Sequence, residues 1–306
     1  MNPACQVTAH NSAAIAELCT RLDGMPLAIE LAAARSSTLG PEHLAARLEG
    51  HPGLLSGGPA RPGRHQSLEP LVAWSYELLD HDERRLLARL SVLRGGFELD
   101  TAERVAAGGP LAPQAIAGLL AGLVDRSVVQ IQTGATVRYS RLETIRQFAA
   151  GRLTESGEDT AVHLRLLRWA LDVAASAEAT LASSEWPSWA RRLSVEQANM
   201  RATLSWAFGS HEPEAGRELA ARLARWWIAT GCYSEGGQFL TMALGIPAAA
   251  APDVQARVLL GAAWSAYNLG DNPRAVRRGL CGEPNGSANR RPSANAVRTR
   301  LVTLCY

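Results

Sequence analysis

The stretch RSVVQIQTGATVRYSRLETIRQF, residues 126–148, decides the fold of this chain, because the spacing of the apolar residues changes within it. Over most of residues 11–280 the apolar residues recur at about the helical spacing of 3.6. Around Val129–Ile131 and Val137–Arg141 they alternate with polar residues instead, imperfectly in the first run. Gly134 lies between the two runs, so the sequence predicts a β-hairpin.

Helices are predicted on both sides of this hairpin. Asp80 stands just before a stretch in which apolar residues recur at helical spacing, and Glu83 lies three residues after Asp80, which is the spacing of a capping box. A helix is therefore expected from residue 81 to about Leu93. Another follows the hairpin at Glu143–Leu153. Three or four helices followed by a hairpin form the layout of a winged helix-turn-helix. The other helices predicted before the hairpin are 68–79, 100–107 and 114–124.

A boundary is predicted where glycine and proline are concentrated, in HPGLLSGGPARPGRH at residues 51–65. Helices are predicted before it at 12–22 and 27–35, and from Pro41 to the stop at Gly50. The fold expected is therefore mainly α. Its segments are a small helical domain (1–50), a linker (51–66), a winged-helix domain (67–157), a helical region (158–278) and an irregular tail (279–306).

Two stretches of the helical region, 222–244 and 257–278, resemble each other when Gly231 is aligned with Gly270. In each, an apolar helix ends at the glycine, a polar turn follows, and a small residue (Gly236 or Ala275) opens the return helix. This pattern is similar to that of tetratricopeptide repeats, in which the small residue lets two helices pack closely. The tryptophans of this region are expected to be core residues rather than a stacking platform for single-stranded nucleic acid.

The composition excludes several kinds of chemistry. All 31 basic residues are arginine, so the chain has no P-loop lysine, Schiff-base lysine or lysine general base. The net charge of +2 argues against a protein that coats nucleic acid. The cysteines and histidines have no metal-ligand spacing, so no metal site is expected. No signal peptide or membrane-length apolar run is found, which favours a cytoplasmic protein.

The stretch LCTRLDGMPLAIELAAAR, residues 18–35, resembles the GLPL segment of the NB-ARC type of signal-transduction ATPases (the STAND class). It is most similar to the form found in large actinobacterial transcriptional regulators of the LuxR and antibiotic-regulator (SARP) kind. Further segments resemble this family in the family's own order: 64–105, 119–131, 138–158 and 196–208.

The resemblance implies an architecture larger than this chain. In that family a P-loop nucleotide domain precedes a small ARC-like helical domain, a winged helix and a helical-repeat sensor. The chain contains no GxxxxGK[ST] motif, so we expect no ATPase activity and no cofactor of its own, with ATP or ADP bound only in the intact architecture. The resemblance implies protein partners for the repeats and for the upstream nucleotide domain.

The resemblance also assigns candidate site residues. Gly24, Pro26 and Leu27 match the GLPL motif, whose proline packs against adenine; the other interpretation is that Pro26 only initiates a helix. Glu143 stands where similar ATPases often carry a histidine that contacts the ADP β-phosphate. A carboxylate there repels phosphate unless it is protonated or paired with Arg141 or Arg146, so we expect Glu143 to act as a helix N-terminal carboxylate.

Arg64 and His65 lie at the end of the linker, just before the winged helix. They could sense nucleotide state between domains or form a solvated hinge.

Two hypotheses about the function of the winged helix remain open. The helix 114–124, which would read DNA in a winged helix, has one glutamine and no basic residue. We therefore expect a non-catalytic regulatory segment that couples nucleotide state to a helical sensor, with DNA contacted only indirectly. The alternative is a DNA-binding regulator that acts through the winged helix.

Overall fold

The computed structural model describes residues 11–21, 29, 32–33, 40–41, 43, 69–134, 136–209 and 212–271. The helices predicted at 27–35 and 41–50 lie wholly or largely outside these residues, and so do the linker and the tail. The chain divides into two compact units, Met1–Arg165 and Leu166–Tyr306. The described residues are mainly helical, as predicted, and include one two-stranded sheet.

The first unit contains α1 (Ser12–Arg21), α2 (Glu69–Glu77), α3 (His81–Leu90), α4 (Leu99–Ala106), α5 (Pro113–Asp125), β1 (Gln130–Thr133), β2 (Val137–Ser140) and α6 (Glu143–Glu155). Helix α7 (Asp159–Ala179) begins in this unit and ends in the second. The predicted capping box of α3 is confirmed. Asp80 Oδ1 accepts from the Glu83 backbone N–H at 2.8 Å, and Glu83 Oε2 accepts from the Asp80 N–H at 3.0 Å.

The predicted hairpin is also confirmed, although its first strand begins one residue later than expected. β1 and β2 pair antiparallel, with Gln130 opposite Ser140 and Thr133 opposite Val137. Val129 is buried, and its N–H donates to the Leu123 carbonyl of α5 at 3.2 Å. It therefore ends the preceding helix instead of joining the strand.

Helix α3 is the centre of this unit, because it packs on α4, α5 and α6. Its side chains Leu86, Leu87 and Leu90 are buried, which matches the apolar face predicted from their spacing. A Cβ on Gly122 would overlap Glu83 Oε1, so a side chain at this position of α5 would displace the Glu83 carboxylate at the start of α3.

The second unit contains α8 (Trp186–Val195), α9 (Gln197–Gly209), α10 (Pro213–Thr230), α11 (Tyr233–Leu244) and α12 (Pro252–Asn268). Helix α10 ends at Gly231, whose φ of 75° is left-handed, so the predicted stop is confirmed. The predicted close approach is confirmed as well: a Cβ on Gly236 would lie 2.8 Å from Cγ of Trp227.

Three of the seven tryptophans of this unit lie in its core and the other four are half-buried, so the core position predicted from the helical spacing is confirmed for these three. Trp169, Trp226 and Trp227 are each about 1% exposed. The Trp227 ring stacks on Phe239 of α11, with centroids 6.1 Å apart and planes inclined by 12°. No helix among the described residues is both long enough and apolar enough to cross a membrane.

Candidate functional site

Helix α5 precedes the wing, in the position from which a winged helix contacts DNA. Ile116, Leu120 and Leu123 point into the core. The opposite, exposed face is made of small or neutral residues together with one acid: Gln114, Ala115, Ala117, Gly118, Ala121 and Asp125. Base edges in the major groove are read mainly by arginine, lysine, asparagine and glutamine. On this face only Gln114 has such a side chain.

Most arginines around α5 are bonded within the protein. Arg84 donates to backbone carbonyls at the end of α2, and Arg126 pairs with Glu83 at 2.5 Å. Arg138 donates to the Gly96 carbonyl. These guanidinium groups donate hydrogen bonds to a carboxylate and to backbone carbonyls of helix ends and loops. Fewer positively charged donors are therefore available to a DNA phosphate backbone. Two arginines on this unit have exposed side chains near the ends of α3 and α4: Arg94 and Arg104.

The junction between the wing and α6 holds a charged cluster formed by Arg141, Glu143 and Arg146. Glu143 is the first residue of α6 and accepts two hydrogen bonds from Arg146, at 2.8 Å from Nε and 2.7 Å from Nη2. These bonds hold the pKa of the Glu143 carboxyl down at about 2. Arg146 Nη1 also reaches the Ser91 carbonyl, at 3.2 Å. Arg146 thus links the start of α6 to the end of α3.

Arg141 is the most unusual group of the cluster. Its Nη2 donates to the carbonyls of Leu90 and Leu93, both at 2.5 Å, and its guanidinium lies 5.6 Å from the centre of the Phe97 ring. Its Nε and Nη1 are buried and have no hydrogen-bond partner. Burial, and then the nearby charge of Arg146, lower the pKa of Arg141 to about 9. The residue anchors the base of the wing to α3.

This cluster does not fit the phosphate contact that the resemblance implies. Both oxygens of the Glu143 carboxylate accept hydrogen bonds from Arg146, so its charge is paired, and an ionised carboxylate has no proton to donate to a phosphate oxygen. The sequence had left pairing with Arg141 or Arg146 open, and the structure shows Arg146. Of the other candidates, Gly24, Pro26, Leu27, Arg64 and His65 lie outside the described residues.

The sequence analysis did not find the role of Arg141, although it considered the residue as a partner of Glu143. The contacts of Arg141 lie about fifty positions earlier in the chain, at Leu90 and Leu93. The only local signal is an arginine two residues before the predicted helix, which is common on protein surfaces.

Comparison with known proteins supports the fold of this unit. Residues 79–154 match the family described as a winged helix-turn-helix domain, so that prediction is confirmed. A protein of Mycobacterium tuberculosis that bears the name of an HTH-type transcriptional regulator is 36% identical over 238 residues, which cover 77% of this chain and 27% of that protein. An uncharacterised protein of the same species is 41% identical over 162 residues, covering 52% of this chain and 41% of its own length.

The chain therefore spans about a quarter of the length of the regulators that it matches. A solved structure is also similar in part. It is a STAND protein with a tetratricopeptide repeat sensor from Pyrococcus horikoshii, at 16% identity and a TM-score of 0.34, and the match covers 83% of this chain and 40% of that one. The chain contains a winged helix-turn-helix domain and is similar to proteins named as transcriptional regulators.

Proposed function

We propose that this chain is a non-catalytic regulatory segment of a transcriptional regulator. In this proposal the winged helix transmits the nucleotide state of an upstream domain to the helical region, and does not itself read DNA. The observation that carries it is the exposed face of α5, where alanine and glycine occupy the positions from which a recognition helix contacts bases.

The arrangement of charge supports the same proposal. Three buried or half-buried arginines donate to backbone carbonyls or carboxylates inside the unit: Arg89, Arg141 and Arg146. Two apolar side chains of the wing are exposed instead, Ile131 by 48% and Val137 by 53%. An exposed apolar wing beside a helix of small residues suits contact with protein better than contact with a phosphate backbone.

Nucleotide enters this proposal only through the intact architecture. The chain has no lysine and no P-loop motif, so we propose that it is not an enzyme and holds no cofactor alone. Because Glu143 is paired with Arg146, the coupling runs through packing between domains and not through a phosphate contact at α6. Cytoplasmic location and protein partners for the helical region belong to the same proposal.

Binding of a fluorescent DNA duplex to the full chain, followed by anisotropy at about 150 mM salt, tests the role of α5. We expect no binding tighter than the roughly 10⁻⁴–10⁻⁶ M typical of non-specific association. The matched variant Ala117→Arg/Ala121→Arg places two cations on the same exposed face and should bind the duplex more tightly, with a steeper salt dependence. Nanomolar binding by the unmodified chain would contradict the proposal.

A DNA-binding regulator is the second candidate, and one observation favours it. Gln114 is exposed in the first turn of α5, where recognition helices contact bases, and glutamine pairs with adenine. If the chain reads DNA, Gln114→Ala should cost about 1–3 kcal/mol of affinity for the preferred site and leave the affinity for random DNA unchanged. The same substitution should have no effect under the first proposal.

Calorimetric titration of the full chain with ADP tests the nucleotide part. We expect no binding heat at submillimolar ADP, because the phosphate-binding motif is absent. Submillimolar affinity would show that Pro26 and its neighbours bind nucleotide without a P-loop.

A further inference from the structure

The hairpin of the wing has one closed edge and one open edge. Strand β2 is paired on both sides, because Tyr139 lies opposite Ile131 of β1 and also pairs with Phe97. The Phe97 N–H donates to the Tyr139 carbonyl at 2.9 Å, and the Tyr139 N–H donates to the Phe97 carbonyl at 2.7 Å. Among the residues that the structure describes, no strand pairs with the other side of β1, and all four residues of β1 are exposed. Strand β1 is therefore an edge strand.

The pairing of Tyr139 with Phe97 also determines which backbone groups of β1 point outward. The N–H and C=O of a strand residue point to the same side, and this side alternates along the strand. Because Tyr139 uses both groups on Phe97, the opposite residue Ile131 makes no backbone hydrogen bond to β2. The same alternation applies to Thr133, whereas Gln132 between them bonds to β2. The N–H and C=O groups of Ile131 and Thr133 therefore point away from the hairpin.

This edge lacks the features that usually keep edge strands apart. Natural edge strands are protected by charged side chains or by proline, but residues 127–137 contain neither. The next residue, Arg138, has a side chain that is 14% exposed and pairs with Glu98. Ile131 is 48% exposed, so an added strand would bury apolar surface as well as satisfy backbone groups.

A second copy of β1 fits this edge in one antiparallel register. With Ile131 of each copy opposite Thr133 of the other, all the outward N–H and C=O groups of both residues are used, about a two-fold axis at Gln132. A shift toward the start of the strand needs Val129, whose N–H already donates to the Leu123 carbonyl at 3.2 Å. A shift the other way runs into the turn between the strands. Because β1 is uncharged, the axis brings no like charges together.

We propose that two copies of this chain pair through β1, antiparallel about Gln132, and join their hairpins into one continuous sheet. Each copy then covers Ile131 and the open backbone groups of the other. The interface is small, since β1 has four residues, so the pairing is weak on its own and depends on protein concentration. It goes beyond the regulatory role proposed above, and it does not depend on whether α5 reads DNA.

Disulfide cross-linking of the full chain tests this register. Directly opposite residues that are not hydrogen-bonded to each other have Cα atoms about 4.5 Å apart, which is within the range of a disulfide. Gln132→Cys places two thiols at that separation across the axis. The matched control Gln130→Cys, on the same face of the same strand, places them more than about 13 Å apart. In a glutathione redox buffer, Gln132→Cys should give at least about tenfold more linked dimer than Gln130→Cys.

Tryptic digestion makes the readout specific. Trypsin cleaves after Arg126 and Arg138 and releases residues 127–138 as one peptide, which contains none of the five native cysteines. Mass spectrometry of this peptide linked to itself therefore measures only the intended disulfide. Adding Ile131→Glu to Gln132→Cys should lower the yield about tenfold, because a charge on an edge strand opposes pairing. Equal thermal unfolding midpoints in the three variants show that the fold is retained.

Three outcomes would overturn the proposal. Equal yields for Gln132→Cys and Gln130→Cys would show that chance collisions, which do not depend on register, form the link. A higher yield for Gln130→Cys would place the axis elsewhere, and an unchanged yield with Ile131→Glu would show that this side chain is not covered. Absence of the linked peptide from both single variants would likewise show that no second copy occupies the edge.

Discussion

The two units of the chain use arginine differently. In the winged-helix unit Arg84, Arg89 and Arg141 each donate to two or more backbone carbonyls. In the helical unit Arg217 has the same use, since it donates to the carbonyls of Ala248 and Ala249, but Arg222 and Arg257 both donate to one carboxylate, that of Glu178. The first arrangement closes the ends of helices and loops, and the second ties the sides of helices together.

Helix length explains the difference. The helices α3, α4 and α5 have 10, 8 and 13 residues, whereas the helices joined through Glu178, which are α7, α10 and α12, have 21, 18 and 17. Every helix leaves its last carbonyls without an intrahelical partner, so short helices expose more of them per residue. A guanidinium, with several donors in one plane, can satisfy two or three such carbonyls at once.

The largest loss of stability is expected where an arginine that donates to backbone carbonyls is removed. Arg89 is 4% exposed and donates to Glu158 at 2.8 and 2.9 Å and to the carbonyls of Ala106 and Gly108 at 2.7 Å. Arg89→Met should lower the free energy of unfolding by about 3–5 kcal/mol, because it leaves two carbonyls without a donor and leaves Glu158 with only the longer ion pair to Arg85, at 3.6 Å. Urea unfolding, followed by hydrogen exchange of the α3 amides, measures this.

The exposed Arg94 provides the control for that experiment. Arg94→Met should change the free energy of unfolding by less than about 0.5 kcal/mol. A loss below about 1 kcal/mol for Arg89→Met would contradict the structural role given to the buried arginines.

Glycine-to-alanine substitutions should change the free energy of unfolding in opposite directions at Gly236 of the helical unit and Gly118 of the winged-helix unit. A Cβ on Gly236 would meet Trp227 at 2.8–2.9 Å, so Gly236→Ala should destabilise the helical unit by about 1–3 kcal/mol. Gly118 has nothing within 4 Å on the exposed face of α5, so Gly118→Ala should stabilise the winged helix by about 0.5–1 kcal/mol. Thermal unfolding of the two variants, which carry the same added methyl group, checks this. A gain for Gly236→Ala would mean that α10 and α11 separate easily.

The stability contributed by arginines in exposed ion pairs should depend on salt, whereas that contributed by buried arginines bonded to carbonyls should not. Arg257 is 25% exposed and pairs with Glu178 and with Asp253, the latter at 2.8 Å. Arg257→Ala should cost about 0.5–1 kcal/mol at low salt and less at 1 M salt, where exposed ion pairs are screened. The cost of Arg89→Met should change little over the same range. Equal salt dependence in both variants would remove the distinction between the two units.

The smallest effect is expected at Glu143. Its folded pKa of about 2 lies below the ordinary value of 4.5, so its pairing with Arg146 contributes stability above pH 5 and loses it as the pH falls through about 2. The side chain is 57% exposed, so Glu143→Gln should cost less than about 1 kcal/mol at pH 7. Unfolding curves of the two proteins should converge near pH 2. A constant difference down to that pH would show that the pair is not the source of the stability.

The sequence predicted elements that depend on neighbouring residues. The capping box at Asp80 and Glu83, the hairpin around Gly134 and the stop at Gly231 each follow from a few adjacent positions. The exposed face of α5 was also readable, since its residue types are visible and its apolar side shows which way it packs.

Contacts between distant positions could not be predicted. Arg141 finds the end of α3 only after the wing has folded back, and the packing of Gly122 against Glu83 requires two helices to meet. The start of β1 was misplaced for the same reason: Val129 fits a strand by its alternation, but the end of α5 takes its N–H. In each case a tertiary partner determines the outcome, and the local sequence does not contain that partner.

The matching turns at Gly231 and Gly270 have a consequence for how a chain of this kind changes its length. The segment between them begins and ends with the same left-handed backbone geometry. A second copy of this segment, which holds α11 and α12, could follow Gly270 and would leave the turn in the direction that α11 takes after Gly231. The helical region can therefore grow or shrink by whole helical pairs while the winged helix keeps its fold.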